Sequence, residues 1–147
     1  GTEINLRGTQ SKGDADIRRD FPGGWNDDDR NAFTREGRTK EENEIFEFCK
    51  RLFNWRKKSS AVHNGELMQF VPLYEDNIYT VFRYDSRQVV GLFINPNQDR
   101  VDVQTDRFQE MTEEFDVYVD VMDGKKKDWG TILSIEPVGF RLVEFER

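Results

Sequence analysis

The chain has 147 residues, a formal net charge of -7, and charged and apolar residues in equal shares of 35%. That length suits one domain with an attached segment, and the acidic balance argues against a nucleic-acid backbone as partner, which requires a concentrated basic surface. No apolar run approaches the ~18 residues of a membrane span, and the single cysteine, Cys49, allows no internal disulfide.

Residues 1–38 read as irregular structure, rich in glycine and charge. The segment Asp14-Ala-Asp-Ile-Arg-Arg-Asp-Phe-Pro-Gly-Gly-Trp25, followed by Asn31-Ala-Phe-Thr34 and Gly37-Arg-Thr39, is too polar for a core and too aromatic for a spacer. Phe21 and Trp25 flank a Pro22-Gly23-Gly24 turn, and a loop of this kind holds a shape for a site. The acidic cluster Asp27-Asp-Asp-Arg30 has carboxylates at a spacing that suits a hard cation such as calcium. It lacks the EF-hand pattern, and a solvated loop is the favoured reading.

A helix is expected after Thr39, where Thr39 and Glu42 form a Thr-x-x-Glu capping box. Ile45, Phe48, Cys49, Leu52 and Trp55 then fall at helical spacing, with Phe46 and Phe53 widening the stripe. Glu42 and Glu44 sit near the positive end of the helix dipole, and Lys50, Arg51, Arg56, Lys57 and Lys58 toward the negative end. Cys49 lies on the apolar side and reads as an inert packed thiol. His63 falls in a helix-to-strand turn without metal-ligand companions.

From Leu67 the period changes to two. Strands are expected at Leu67–Leu73, Ile78–Tyr84, Gln88–Ile94, Arg100–Gln104, Val117–Val121, Thr131–Ile135 and Phe140–Phe145, separated by turn signals such as Glu75-Asp-Asn77, Asn95-Pro-Asn97 and Asp123-Gly124. Lys125-Lys-Lys127 reads as a solvated turn, and Trp129 as a packing residue ahead of a sugar platform. The last run carries apolar residues at both parities, which predicts a strand between two packed surfaces. Short strands without crossover helices indicate a mostly β fold, an antiparallel β-sandwich preceded by one α-helix and a long irregular N-terminal segment.

Gly1-Thr-Glu-Ile4, the segment Asp14–Trp25 and the run through Trp55-Arg56 resemble the end of an α-amylase-superfamily enzyme, glycoside hydrolase family 13, of the neopullulanase or cyclomaltodextrinase kind. In those enzymes a Gly-(Thr/Asp)-Glu motif closes the last barrel strand. An Asp-Pro-Asp-x-Arg-Arg element follows, then the last barrel helix and an all-β C-terminal domain. The element here is Asp14-Ala15-Asp16-Ile17-Arg18-Arg19, with Ala15 in place of proline. The resemblance implies that residues 1–62 are the tail of a (β/α)8 barrel, namely the loop after strand 8 and the last barrel helix. Residues 63–147 are then the C-terminal antiparallel β-sandwich.

The resemblance also implies the roles. Retaining enzymes of this type work with two carboxyl groups flanking the scissile bond, placed on earlier barrel strands and so upstream of Gly1. The chain alone is expected to be catalytically inert, without metal or other cofactor, calcium being a possibility for the parent only. Asp14 and Arg18 match the residues that hydrogen-bond sugar hydroxyls in the parent, a carboxylate accepting and a guanidinium donating. The alternative is a surface ion pair of little energetic effect. Asp16 and Arg19 are weaker candidates that orient the loop. Phe21 and Trp25 either stack on sugar or anchor the turn, with the anchor favoured. The implied partners are an α-glucan oligosaccharide, bound through the parent barrel, and that upstream barrel itself. Bacterial enzymes of this kind are periplasmic or cytoplasmic. A competing reading is a stand-alone carbohydrate-binding or interaction β-sandwich, but Tyr79 and Tyr84 fall on opposite strand faces by parity, against an aromatic platform.

Overall fold

The computed structural model describes residues 1–146, and the chain divides into two units, Gly1–Phe53 and Asn54 onward. In the second unit the period-two runs become strands β1 (Glu66–Phe70), β2 (Tyr79–Tyr84), β3 (Gln88–Asn95), β4 (Val101–Gln104), β5 (Val117–Asp120), β6 (Lys126–Asp128), β7 (Ile132–Ile135) and β8 (Gly139–Glu146). They form a six-stranded antiparallel sheet in the order β1-β2-β3-β8-β5-β6 and a two-stranded antiparallel sheet, β4-β7. This is the antiparallel β-sandwich that the alternation predicts.

One face of the large sheet makes the core. Phe82 (β2), Val89 and Phe93 (β3) and Val143 and Phe145 (β8) are fully buried, and Val103 (β4), Leu133 and Ile135 (β7) close over them. Aromatic rings dominate. Phe82, Phe93 and Phe108 lie within 5.2–5.8 Å of one another, and Trp129 meets Tyr118 and Phe145 edge-on at 5.7 and 5.0 Å. Trp129 is thus a packing residue, as expected. Gly91 leaves the room this cluster needs. A Cβ there would sit 2.8 Å from a Phe82 ring carbon and 2.9 Å from one of Phe93.

The opposite face of β8 is also covered. Leu142 is buried there, and the next residue of that parity, Glu144, receives the indole N–H of Trp55 and, at 2.7 Å, the side-chain amide of Gln88. Gln88 Oε1 accepts from Ser59 Oγ at 2.6 Å and from the Ala61 amide at 3.0 Å. A polar chain therefore ties the segment after the long helix to β3 and β8.

Four elements of the second unit depart from the sequence reading. Ser60–Asn64, with His63 in its last turn, is a short helix rather than a simple turn. The Ser59 hydroxyl caps its start, and Arg83 donates to its terminal carbonyls at 2.7–3.4 Å. Thr105–Phe108 and Gln109–Thr112 form successive helical turns that drive Phe108 into the core. Lys126–Asp128 is an edge strand, β6, where a solvated turn is expected. Lys127 pairs with buried Asp120 at 2.7 Å and with Asp123 at 2.9 Å.

In the first unit the long helix α2 runs over Lys40–Arg56, across the boundary between the units. Its capping box forms as expected: the Glu42 amide donates to Thr39 Oγ1 at 3.2 Å, and the Thr39 amide to Glu42 Oε2 at 2.8 Å. None of its side chains is buried. Phe48 is 39% and Phe53 56% exposed. The preceding segment is less irregular than expected, with helical turns at Thr2–Ile4, Gln10–Lys12 and Asp14–Ile17 (α1).

Candidate functional site

The candidate residues lie in the first unit, in and after the turn Asp14–Ile17. Asp14 and Arg18 form an i,i+4 ion pair at 3.4 Å, with both side chains more than two-thirds exposed. Such a pair contributes little to stability. It leaves a carboxylate and a guanidinium open to a polyhydroxyl ligand.

Asp16 and Arg19 do different work. Asp16 accepts from the Thr9 amide at 2.6 Å and from the Arg19 guanidinium, while Arg19 Nε also donates to the Asp16 carbonyl at 2.9 Å. The Thr9 amide first, then Arg19, hold the Asp16 carboxyl below its usual 3.8. This pair orients the loop.

The Pro22-Gly23-Gly24 turn is clamped by Asp28, whose Oδ2 accepts from the amides of Gly23 (2.6 Å) and Trp25 (3.0 Å). Those amides, Trp25 first, lower the Asp28 pKa. Gly23 has φ of +101°, and a Cβ there would come within 2.4 Å of Asn31 Oδ1. Only glycine suits that position. The Asp28 carboxylate is thus taken up by backbone amides. Among the described residues no group of three or more His, Cys, Asp or Glu side chains is arranged to hold a metal ion.

Phe21 is half-buried and packs against Phe33 with ring centroids 4.6 Å apart. Trp25 is 65% and Phe33 64% exposed. Behind Phe33 the backbone is tightly held. The Ala32 amide donates to the Pro22 carbonyl at 2.9 Å, and the Phe33 amide to Asn31 Oδ1 at 2.9 Å. Buried Arg38 donates to the Ala32 and Phe33 carbonyls at 2.9 and 3.3 Å and to Asn43 at 2.9 Å, with its guanidinium 3.9 Å over the Phe46 ring. Arg30 makes a two-pronged contact with Glu42 at 2.6 and 2.8 Å, which holds the Glu42 carboxyl below its usual 4.5.

Sequence reasoning did not single out Phe33, Arg30 or Arg38 as site residues. An available signal was Asn31-Ala-Phe-Thr34 itself. Asparagine folds its side chain onto the backbone two residues on, and here that fixes the amide of an aromatic residue with no apolar neighbour in either period. In the β-domain, Trp129 borders a shallow notch of about 250 Å³ with Thr105, Gln109 and Glu113. Its ring is committed to Tyr118 and Phe145.

Solved structures similar to this chain share its fold. A crystal structure of AmyP in complex with maltose superposes with a TM-score of 0.60 at 14% identity, covering 73% of this chain and 21% of that one. An α-glucosyl transfer enzyme, XgtA, gives 0.54 at 15% identity, over 80% of this chain and 21% of that one. The maltogenic amylase from S. marinus gives 0.52 at 13% identity, over 74% and 15%. The chain thus spans about a fifth of the length of these proteins or less. Residues 67–144, more than half of the chain, match the family described as Cyclo-malto-dextrinase C-terminal domain. The sandwich matched by that family is the one described above, and the chain belongs to the cyclo-maltodextrinase C-terminal domain family.

Proposed function

We propose that this chain is the C-terminal section of an α-amylase-family glycoside hydrolase acting on α-glucans such as starch, maltodextrin, cyclodextrin or pullulan. Residues 1–62 are the tail of its catalytic barrel, and residues 63–147 its C-terminal domain. The observation that carries this reading is the family match over 67–144, joined to the Asp14–Arg18 element in the position that the resemblance assigns to sugar contact. The maltose bound to AmyP agrees with the substrate class.

The section itself is structural, and the catalytic carboxylates belong to the upstream barrel. In support, Asp120 and Asp123 share the Lys127 ammonium. That arrangement commits both carboxylates to one ammonium, unlike a retaining acid–nucleophile pair flanking an open cleft. In the parent, Asp14 and Arg18 bind sugar hydroxyls, and Phe21 and Trp25 shape the adjoining turn or stack on the sugar. The sandwich supports the barrel's last helix through Trp55, Gln88 and Glu144.

An immunoblot of source cells with antibody raised to this chain tests the reading. A band several-fold larger than 17.4 kDa, with α-glucan hydrolysis that copurifies with it, is expected. A native product of this size, or α-glucan hydrolysis by the isolated 147-residue chain, overturns it. The commitment of Trp129 to core packing weighs against the alternative of a stand-alone carbohydrate-binding module.

A further inference from the structure

We infer that Phe33 is an α-glucan contact, its exposed ring presented to the flat face of a glucosyl unit and backed by Phe21. The inference rests on the α-glucan reading above, and it gives Phe21 the supporting part. The pair is asymmetric. Phe21 is half-buried, whereas Phe33 stands 64% exposed with its ring 4.6 Å from that of Phe21. An exposed aromatic on a slack loop would fold away from water. Here it cannot, because every backbone link behind it is fixed. Asn31 holds the Phe33 amide, Arg38 the Ala32 and Phe33 carbonyls, and the Pro22 carbonyl the Ala32 amide. Ala32, the residue before it, is fully buried. The loop thus keeps an apolar ring in solvent at a fixed angle, and preorganisation of this kind lowers the ordering cost of binding.

The chemistry around the ring favours a sugar over a protein surface. The exposed charged side chains close to it in sequence are mostly carboxylates, Asp27, Asp29 and Glu36, beside one guanidinium, Arg35. A protein partner closing over Phe33 would strip water from them at a cost in desolvation. Sugar hydroxyls instead donate to carboxylates while leaving them hydrated, and the C–H faces of glucose cover the ring.

The test is a titration of the 147-residue chain with maltoheptaose, followed by the aromatic ¹H–¹³C signals of Phe33 and Trp25, with cellohexaose as the β-linked control. Saturable movement of the Phe33 ring signals with maltoheptaose, weaker with cellohexaose, is expected. Phe33→Ala should weaken the affinity about tenfold, the scale of one lost aromatic contact, while Phe33→Tyr retains it. Unchanged amide shifts for Arg38 and Asn43 would show each variant folded. Still Phe33 signals, equal response to both glucans, or undiminished binding by Phe33→Ala overturns the inference. So does broadening of the Phe33 signals with protein concentration alone, which marks a protein contact instead. Each of these results leaves the immunoblot untouched, so this inference can fail while the parent-enzyme reading stands.

Discussion

The two units are stabilised in opposite ways. In Asn54 onward, fully buried phenylalanines meet edge to face and the polar groups are secondary. In Gly1–Phe53, Ile4 and Ala32 are the only fully buried apolar residues among the described ones, and carboxylate–amide and guanidinium–carbonyl bonds hold the shape. Apolar burial is non-directional and does not depend on protonation. A lattice of charge-assisted bonds fixes the backbone tightly but depends on protonation and on each partner being present. The difference separates a domain built to be stable from a loop built to be positioned.

Substitutions and pH should break this contrast in a graded order. The largest effect is expected from Phe93→Ala, at the centre of the ring cluster, which should cost about 3–5 kcal/mol in urea unfolding followed by near-ultraviolet circular dichroism. A cost below that of an exposed-site change would mean that the cluster is not the core of the unit. Gly91→Ala should cost about 1–3 kcal/mol by overpacking against Phe82 and Phe93, read from the same unfolding curves. Glu144→Ala should cost about 1–2 kcal/mol, because it leaves the Trp55 indole and the Gln88 amide without their acceptor. Trp55 emission should shift, whereas Glu144→Gln, which keeps one acceptor oxygen, should lie between the two.

The smallest effect is an acid loosening confined to the first unit. Asp16, Asp28 and Glu42 are all held below their usual values by amide or guanidinium donors. Their folded pKa values lie below the unfolded ones, so the stability they contribute is complete above pH 4.5 and is lost as pH falls through the folded values. Amide protection factors at Thr9, Gly23, Trp25 and Thr39 should fall as pH drops through those lowered values, before those of β3 and β8. Simultaneous loss of protection in both units would erase the contrast.

What was legible in the sequence follows the same division. Strand runs such as Gln88–Ile94 and Phe140–Phe145 declared themselves as short, dense apolar runs bounded by turn residues, and Thr39 with Glu42 announced the start of α2 through local spacing. Strand β6 did not, since Lys126-Lys-Asp128 has no apolar residue and is held by the reach of Lys127 to Asp120. The helical turns at 105–112 carry too few apolar residues to show a period. Glu144 looked like an ordinary outward-facing strand residue because its partner Trp55 is 89 positions away. At the candidate site, Asp14, Arg18, Phe21 and Trp25 came from the resemblance. The exposure of Phe33 and the clamp by Arg38 exist only once Pro22 and Ala32 are joined.

The place of β8 has a consequence for synthesis. This strand is flanked by β3 on one side and β5 on the other, in the middle of the large sheet. Until Gly139–Glu146 leaves the ribosome, β1-β2-β3 and β5-β6 are two ribbons with unsatisfied edges, and Phe82, Val89 and Phe93 lack Val143 and Phe145. The domain cannot ripen gradually during translation. It closes in one late step, and a nascent chain stalled before Gly139 would expose sticky strand edges to chaperones and proteases.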